Sequence, residues 1–380
     1  LETVSSSKAS PPATLQRPPA EIQYAAQLAQ LKALDTGPRP PGWVLSLKAA
    51  RSFILGDAAL GIAPKIVAPV ASIERMLVTL ATGRGLMLVG EPGTAKSMLS
   101  ELLATAISGV STLTIQGGAS ITEDQIKYSW NYALLINEGP SPRAMVPAPL
   151  YRGMQQGQVV RFEEITRAPL EVQDCLLGML SDRVMAVPEL AGEHGMLYAR
   201  EGFNIIGTAN TRDRGVNEMS AALKRRFDFE TVFPILDFDR ELALVQESSK
   251  RLLAQSGIPK TVPQPVLELL VTTFRDLRGA PAKGDKGDKG GNGGDAAMDR
   301  LTAVMSTAEA VNVAHAVGVR AWFLEQREGS PADLVDCIAG TVVKDNADDR
   351  AKLRRYFEQK AAKRSGAHWR AYYEARHRLP

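Results

Sequence analysis

Residues 86–97 read Leu86-Met-Leu-Val-Gly90-Glu-Pro-Gly93-Thr-Ala-Lys96-Ser97. The apolar run Leu86 to Val89 predicts a buried parallel strand that ends at Gly90. A helical pattern follows from Ser97, with Met98, Leu99, Leu102 and Leu103 at apolar positions. Strand, glycine-bearing turn, Lys-Ser and helix together make a phosphate-binding loop, in which backbone N–H groups and a helix N-terminus face the phosphates. Gly90, Glu91, Pro92, Gly93, Thr94, Ala95, Lys96, Ser97 and Met98 are therefore expected to surround a nucleotide. Lys96 would reach the β- and γ-phosphates, and the Ser97 hydroxyl would hold Mg²⁺. Gly90 and Gly93 allow the tight turn. One consensus glycine is missing, because Ala95 stands just before the lysine.

Such a loop does not choose between kinases, GTPases and ATPases; the later strand ends do. In an open parallel sheet, ligands sit outside the carboxyl ends of the strands. Gly157 to Phe162 predicts a strand ending in Glu163-Glu164, and Phe203 to Gly207 another ending in Thr208-Ala-Asn210. Glu163 would hold Mg²⁺, mainly through water. Glu164 would act as general base on the attacking water. Asn210 would donate to that water or to the γ-phosphate. Arg225 and Arg226 precede Phe227, and one of them, supplied by a neighbouring subunit, would be an arginine finger. ATP with Mg²⁺ is the expected ligand.

Four stretches together resemble the MoxR family of AAA+ ATPases: Gly90 to Ser97, Phe162-Glu-Glu-Ile-Thr-Arg-Ala-Pro169, Gly207-Thr-Ala-Asn-Thr-Arg-Asp213 and Ala222-Leu-Lys-Arg-Arg-Phe227. The resemblance runs from residue 45 to 375. It implies a homo-oligomeric ring, usually a hexamer, with ATP at subunit interfaces. It also implies chaperone-like remodelling of client proteins, often with a partner carrying a von Willebrand factor A domain. The finger in related rings directly precedes the aromatic residue, which favours Arg226. Inserts implied by the family match 118–156 and a hairpin at 184–202. Two departures stand out. The family usually has Asp-Glu where this chain has Glu163-Glu164, and Ala308 stands where related lids carry an arginine, with Arg300 a candidate replacement.

The rest of the chain fills in the organisation. The fold class expected is α/β, an AAA+ core with a parallel sheet between helices, followed by an all-α lid. Residues 1–20 are rich in Ser, Pro and Ala and read as disordered. The nucleotide-binding domain is expected over 21–236, opening with helices at 21–34, Ser46–Ile54 and 66–82. Trp130, Asn131 and Tyr132 read as helical, Trp130 and Tyr132 as packing inside the first insert, Pro169 as the start of a helix, and Thr231 to Phe233 as the last strand. The helical lid is expected over 237–380, interrupted by the charged glycine-rich loop 281–295.

The 380 residues carry a formal charge of +3, close to neutral, so net charge alone implies no strong polyanion partner. Basic and aromatic residues mix over 350–378, but their helical spacing reads as a packed lid with a solvated basic face. Cys175 and Cys337 read as core cysteines, and the four histidines lack ligand spacing. No run suits a membrane span and no signal peptide is evident, so a cytoplasmic protein is expected. Two other functions remain open: a weakly hydrolysing, nucleotide-gated scaffold, and a motor acting on nucleic acid.

Overall fold

A computed structural model of the chain describes residues 15–210, 218–278, 305–343 and 347–379. Most of the Ser- and Pro-rich start, residues 211–213, the 281–295 loop and Arg300 lie outside the described residues. Nine strands are described: β1 Gly85–Gly90, β2 Thr114–Gln116, β3 Tyr128–Trp130, β4 Met145–Pro147, β5 Val159–Glu163, β6 Val184–Ala186, β7 Met196–Tyr198, β8 Asn204–Asn210 and β9 Phe227–Thr231. Five of them form one sheet in the order β2-β5-β8-β1-β9, and β5 runs parallel to both β2 and β8. This is the α/β core expected from the strand and helix pattern. β5 is buried along its whole length, and so is β8 up to Asn210, as inner strands of a parallel sheet are, and their buried polar residues Arg161, Glu163, Asn204 and Thr208 stand out against the apolar ones. The outer strand β9 alternates Phe-Asp-Phe-Glu-Thr instead. Its Asp228 pairs with Arg84 at 2.6 Å and its Glu230 with Arg75 at 2.5 Å, charges that discourage edge-to-edge pairing.

Local chemistry explains where elements start. The helix expected over 66–82 begins at Val70, because Pro69 disfavours helical geometry in the residue before it. Ser46 caps the helix Leu47–Leu55 by accepting from the Ala49 N–H at 3.2 Å. The helix expected from Pro169 forms as two pieces, Leu170–Asp174 and Leu176–Ser181, which meet at Cys175.

Three readings are corrected. Trp130 is not helical: β3 pairs antiparallel with β4, placing Trp130 opposite Met145. Asn131 then caps the short helix Tyr132–Glu138. Two aromatics around a serine suit a pleated strand, and the helical spacing starts only after the cap. Trp130 packs beside Met145, Val187 and Leu190, which join the first insert to the hairpin β6–β7. Tyr132 is 70 % exposed and does not pack there. The last strand begins at Phe227 rather than Thr231, since the Gly85 N–H donates to the Arg226 carbonyl at 3.1 Å and starts the ladder there. Cys337 is half-buried and packs against the apolar core of the C-terminal helices, Cys175 is half-buried, and burial pushes each thiol up to about 11.

The described chain divides into two compact units. The first holds most of the sheet, its helices and both inserts. The second holds the helices beyond Glu230 together with the phosphate-loop segment Val89–Lys96. In the second unit, the helices Phe238–Gln255, Gln264–Arg278, Thr307–Glu325 and Pro331–Val342 enclose one apolar core. Tyr356, Phe357 and Tyr372 are fully buried in it, so the aromatic residues near the C-terminus are packing residues, as their spacing suggests. Burying a side chain such as Phe357 contributes on the order of 2 kcal/mol.

A buried carboxylate ties the lid together. Asp333 has no solvent exposure and pairs with Arg320 and with Arg327 (2.5 Å), while also accepting from the Ser330 N–H (2.9 Å) and hydroxyl (2.6 Å). Burial raises its carboxyl, but the Arg327 and Ser330 hydrogen bonds outweigh burial and hold it at about 2. Asp333→Asn should therefore destabilise the lid by about 3 kcal/mol at neutral pH. The folded pKa lies below the unfolded one, so the stabilisation is present above the unfolded value and fades as pH falls from about 4 toward about 2. Thermal unfolding of wild type and variant should show a gap at pH 7 that closes in that acid window. A constant gap would show that packing, not charge, sets the effect.

Candidate functional site

The phosphate loop is held by its own atoms. Ala95 has φ +66° and Gly93 φ +75°, both in the left-handed region. Ala95 thus adopts the backbone that the missing glycine would have supplied. The Lys96 ammonium, buried at the start of the helix Lys96–Ser108, donates to the carbonyls of Gly90 (3.0 Å) and Glu91 (2.7 Å). The Thr94 hydroxyl donates to the Glu91 carbonyl at 2.9 Å. A side chain at Gly93 would collide with Ser306 Cβ and Oγ, so the start of a lid helix lies directly against the loop. Ser306 caps the helix Thr307–Glu325 through a capping box with Glu309. Ala308 is the second residue of that helix and brings no charge. Basic groups reach its first turn through Glu241, whose buried carboxylate accepts from Arg275 (3.1 Å), Arg278 (2.6 Å) and the Thr307 hydroxyl (2.7 Å).

Directly after Lys96 in the chain, Ser97 engages the sheet. Its hydroxyl donates to Glu163 Oε2 at 2.8 Å. The register pairs Phe162 with Gly207, so the next step sets Glu163 beside Thr208, whose hydroxyl donates to the same oxygen at 2.8 Å. The other oxygen, Oε1, accepts from the Ser100 hydroxyl (2.6 Å) and from Arg161 Nη2 (2.8 Å). Glu163 is only 5 % exposed. Burial raises its carboxyl, but the bonds from Ser100, Arg161, Ser97 and Thr208 bring it below the usual carboxylate range.

Arg161, Ser100 and Thr208 were not singled out from the sequence. A signal existed for the arginine: it interrupts the apolar run Val159-Val-Arg-Phe162, two residues before Glu163 and so on the same face of the strand. Ser100 is three residues from Ser97 on one helix face.

Glu164 has φ +53°, and its N–H donates to Thr208 Oγ1 at 2.9 Å while its carboxylate pairs with Arg167 at 3.0 Å. The sheet thus turns sharply immediately after Glu163, so the two adjacent glutamates occupy different settings. Asn210 ends β8. Arg225 is exposed at the end of the short helix Ala221–Lys224. Arg226 is half-buried and donates to the Ser181 hydroxyl (2.8 Å) and the Ala222 carbonyl (3.0 Å) of its own chain. Among the described residues no cluster of histidine, cysteine and carboxylate side chains suits a transition metal, and no helix is long and apolar enough to cross a membrane.

Residues 239–380 match the family described as the YehL-like AAA+ ATPase C-terminal domain. The chain is 73 % identical over 366 residues to the YehL protein of Escherichia coli (strain K12), covering 96 % of this chain and 98 % of that protein. The chain belongs to the YehL family of AAA+ ATPases. Residues 85–227 match the AAA domain of the dynein-related subfamily, a span that runs from the first residue of β1 to Phe227. A second relative, SH1500 of Staphylococcus haemolyticus (strain JCSC1435), is 29 % identical over 145 residues, 38 % of this chain and 53 % of that protein. Among solved structures, NtrX from Brucella abortus in complex with ADP aligns with a TM-score of 0.47 at 13 % identity, over 82 % of this chain and 64 % of that one. The complex of NtrX with ATP aligns at 0.48 and 14 % identity, over 79 % of this chain and 62 % of that one.

The left-handed alanine makes the loop's strain measurable. Removing a Cβ from that conformation relieves about 1–2 kcal/mol, and the freer unfolded glycine gives back about 0.5–1 kcal/mol. Ala95→Gly should therefore raise the melting temperature of the nucleotide-free protein by a few degrees. A lower melting temperature would show that Ala95 is not held left-handed.

Proposed function

We propose that this YehL-family protein is an ATP-hydrolysing ring of the MoxR type that remodels client proteins. The observation that carries the reading is the bond from the Ser97 hydroxyl to Glu163, with Glu164 turned away in the next position. It joins the helix that follows the loop to the end of β5, two strands away from β1 in the sheet, and leaves two adjacent carboxylates in separate settings. On binding ATP, Lys96 would leave the Gly90 and Glu91 carbonyls for the β- and γ-phosphates. The left-handed turn at Gly93 and Ala95 would present backbone N–H groups to the same phosphates. Hydroxyl and carboxylate oxygens are the hard donors magnesium takes, so Ser97 and Glu163 fit that ion, Ser97 directly and Glu163 through an intervening hydroxyl or water. When bound, it would supply charge neutralisation on the phosphates. Glu164 would take the proton of the attacking water, and Asn210 would orient that water. Arg226, exchanging its Ser181 and Ala222 partners for the neighbour's γ-phosphate, would stabilise the charge that develops in transfer.

The MoxR resemblance supports a hexamer, a partner with a von Willebrand factor A domain, and the inserts as client-facing parts. Tyr132, Ile136 and Tyr198 of those inserts are largely exposed. A slowly hydrolysing assembly switch is favoured by one feature, the ion pair that occupies Glu164 with Arg167. A cytoplasmic location completes the proposal.

Four variants test the two readings. Lys96→Ala should abolish tight ATP binding in a folded protein, read by titration with a fluorescent ATP analogue. Glu164→Gln should keep ATP binding and assembly but stop hydrolysis, because an amide cannot take the proton. Turnover above a few per second in Arg167→Ala, against near-zero turnover in wild type, would favour the switch. Arg226→Ala should keep binding and lose on the order of 10³-fold in rate. Mixing it with Lys96→Ala subunits should partly restore ATPase activity, since some interfaces then pair an intact loop with an intact finger. No recovery in rings shown to be mixed counts against a finger in trans.

A further inference from the structure

Arg161 is a guanidinium inside an apolar strand, only 8 % exposed. All five of its N–H groups are used. Nε donates to the Ser100 hydroxyl (2.9 Å), and Nη1 to the Ser111 carbonyl (3.2 Å) and the Thr114 hydroxyl (3.4 Å). Nη2 donates to the Ser97 carbonyl (2.9 Å) and to Glu163 Oε1 (2.8 Å). The arginine thus holds both the residue after Lys96 and the carboxylate at the strand end. Glu163 is equally saturated, with two donors on each oxygen. The longer side chain at this position has the reach to meet an arginine two residues earlier on its own strand.

We infer that Arg161 is a positioning residue that holds Glu163 as a charge-neutral pair, so that Glu163 serves as the hydrogen-bond acceptor that orients the Ser97 hydroxyl rather than as the negative charge that attracts magnesium. The inference rests on the nucleotide reading of the loop. A buried pair that sums to zero projects a weaker field on a cation nearby than an unpaired carboxylate in the same place does. Magnesium then gains its affinity from the nucleotide's own phosphates and from Ser97. Lysine would not replace Arg161, since a point ammonium cannot span five acceptors in one plane.

The test is the affinity for a fluorescent ATP analogue with excess magnesium and with EDTA, measured at pH 8 on the full chain. The ratio of the two affinities is taken within one protein, so general destabilisation cancels. Wild type should show a ratio below about threefold. The double variant Arg161→Met with Glu163→Gln removes both charges at similar volume, a change that buried pairs often tolerate. It should fold and keep the wild-type ratio within about threefold. Arg161→Met alone leaves the carboxylate unpaired and should raise the ratio at least tenfold; if that single variant does not fold, the double variant decides. A wild-type ratio above about thirtyfold that collapses in the double variant would make Glu163 the metal-attracting charge and overturn the inference. Thermal unfolding of both single variants and the double adds an arm that needs no nucleotide: each single should melt lower than the double. Additive losses would show that the two residues are not a pair. Wild type that binds the analogue in neither buffer would instead overturn the nucleotide reading of the loop, and the unfolding arm would still report on the pair.

Discussion

A carboxylate buried at the end of a central strand must find a donor for every lone pair, and Glu163 meets that requirement with four. The costs of leaving such a group unsatisfied are on the order of several kcal/mol. Its partners come from the helix after the loop (Ser97, Ser100), from its own strand (Arg161) and from β8 (Thr208). Satisfying one side chain therefore fixes the rotation of a helix and the level of two strands at once. Thr208 extends the effect by accepting from the Glu164 N–H, which holds the following residue in its left-handed turn. The separation of the two glutamates follows from that turn, not from any difference in their chemistry.

The second unit rests on the same logic with different residues. Glu241 and Asp333 are buried acids near helix starts, each bound by two arginines and by a hydroxyl. Arg275 and Arg278 bring positive charge to the beginning of the helix that follows Ser306, where no arginine occupies the Ala308 position. The apolar core supplies the bulk of the burial, and these acids set which helix ends meet.

Much of the fold was legible because its signals are local. The phosphate loop, the apolar runs that became β1, β5 and β8, and the aromatic spacing of the C-terminal helices each depend on neighbours in sequence. Elements set by pairing were read less well. Trp130 looks helical until Met145 is found across a hairpin, and the last strand looks as if it starts at Thr231 until the Gly85 N–H finds the carbonyl before Phe227. The site divides in the same way. Lys96, Ser97, Glu163 and Glu164 stand in recognisable strings. Ser100, Thr208 and Arg161 matter only because three separate elements converge on one carboxylate, and a lone serine or threonine carries no mark of that. Ala95 belongs between these cases: its departure from glycine was visible, but the structure shows that the backbone kept the glycine conformation.

The meeting of Gly93 with Ser306 has a bearing on how this chain can vary. The space between the loop and the beginning of the lid helix is smaller than one methyl group. A side chain at 93 could be added only if the start of that helix moved. Among descendants of this sequence, what residue 93 can become is therefore limited by a residue more than two hundred positions away. The pair should drift together or not at all, which links the history of the nucleotide loop to that of the lid helix more tightly than the history of either to its own flanking residues.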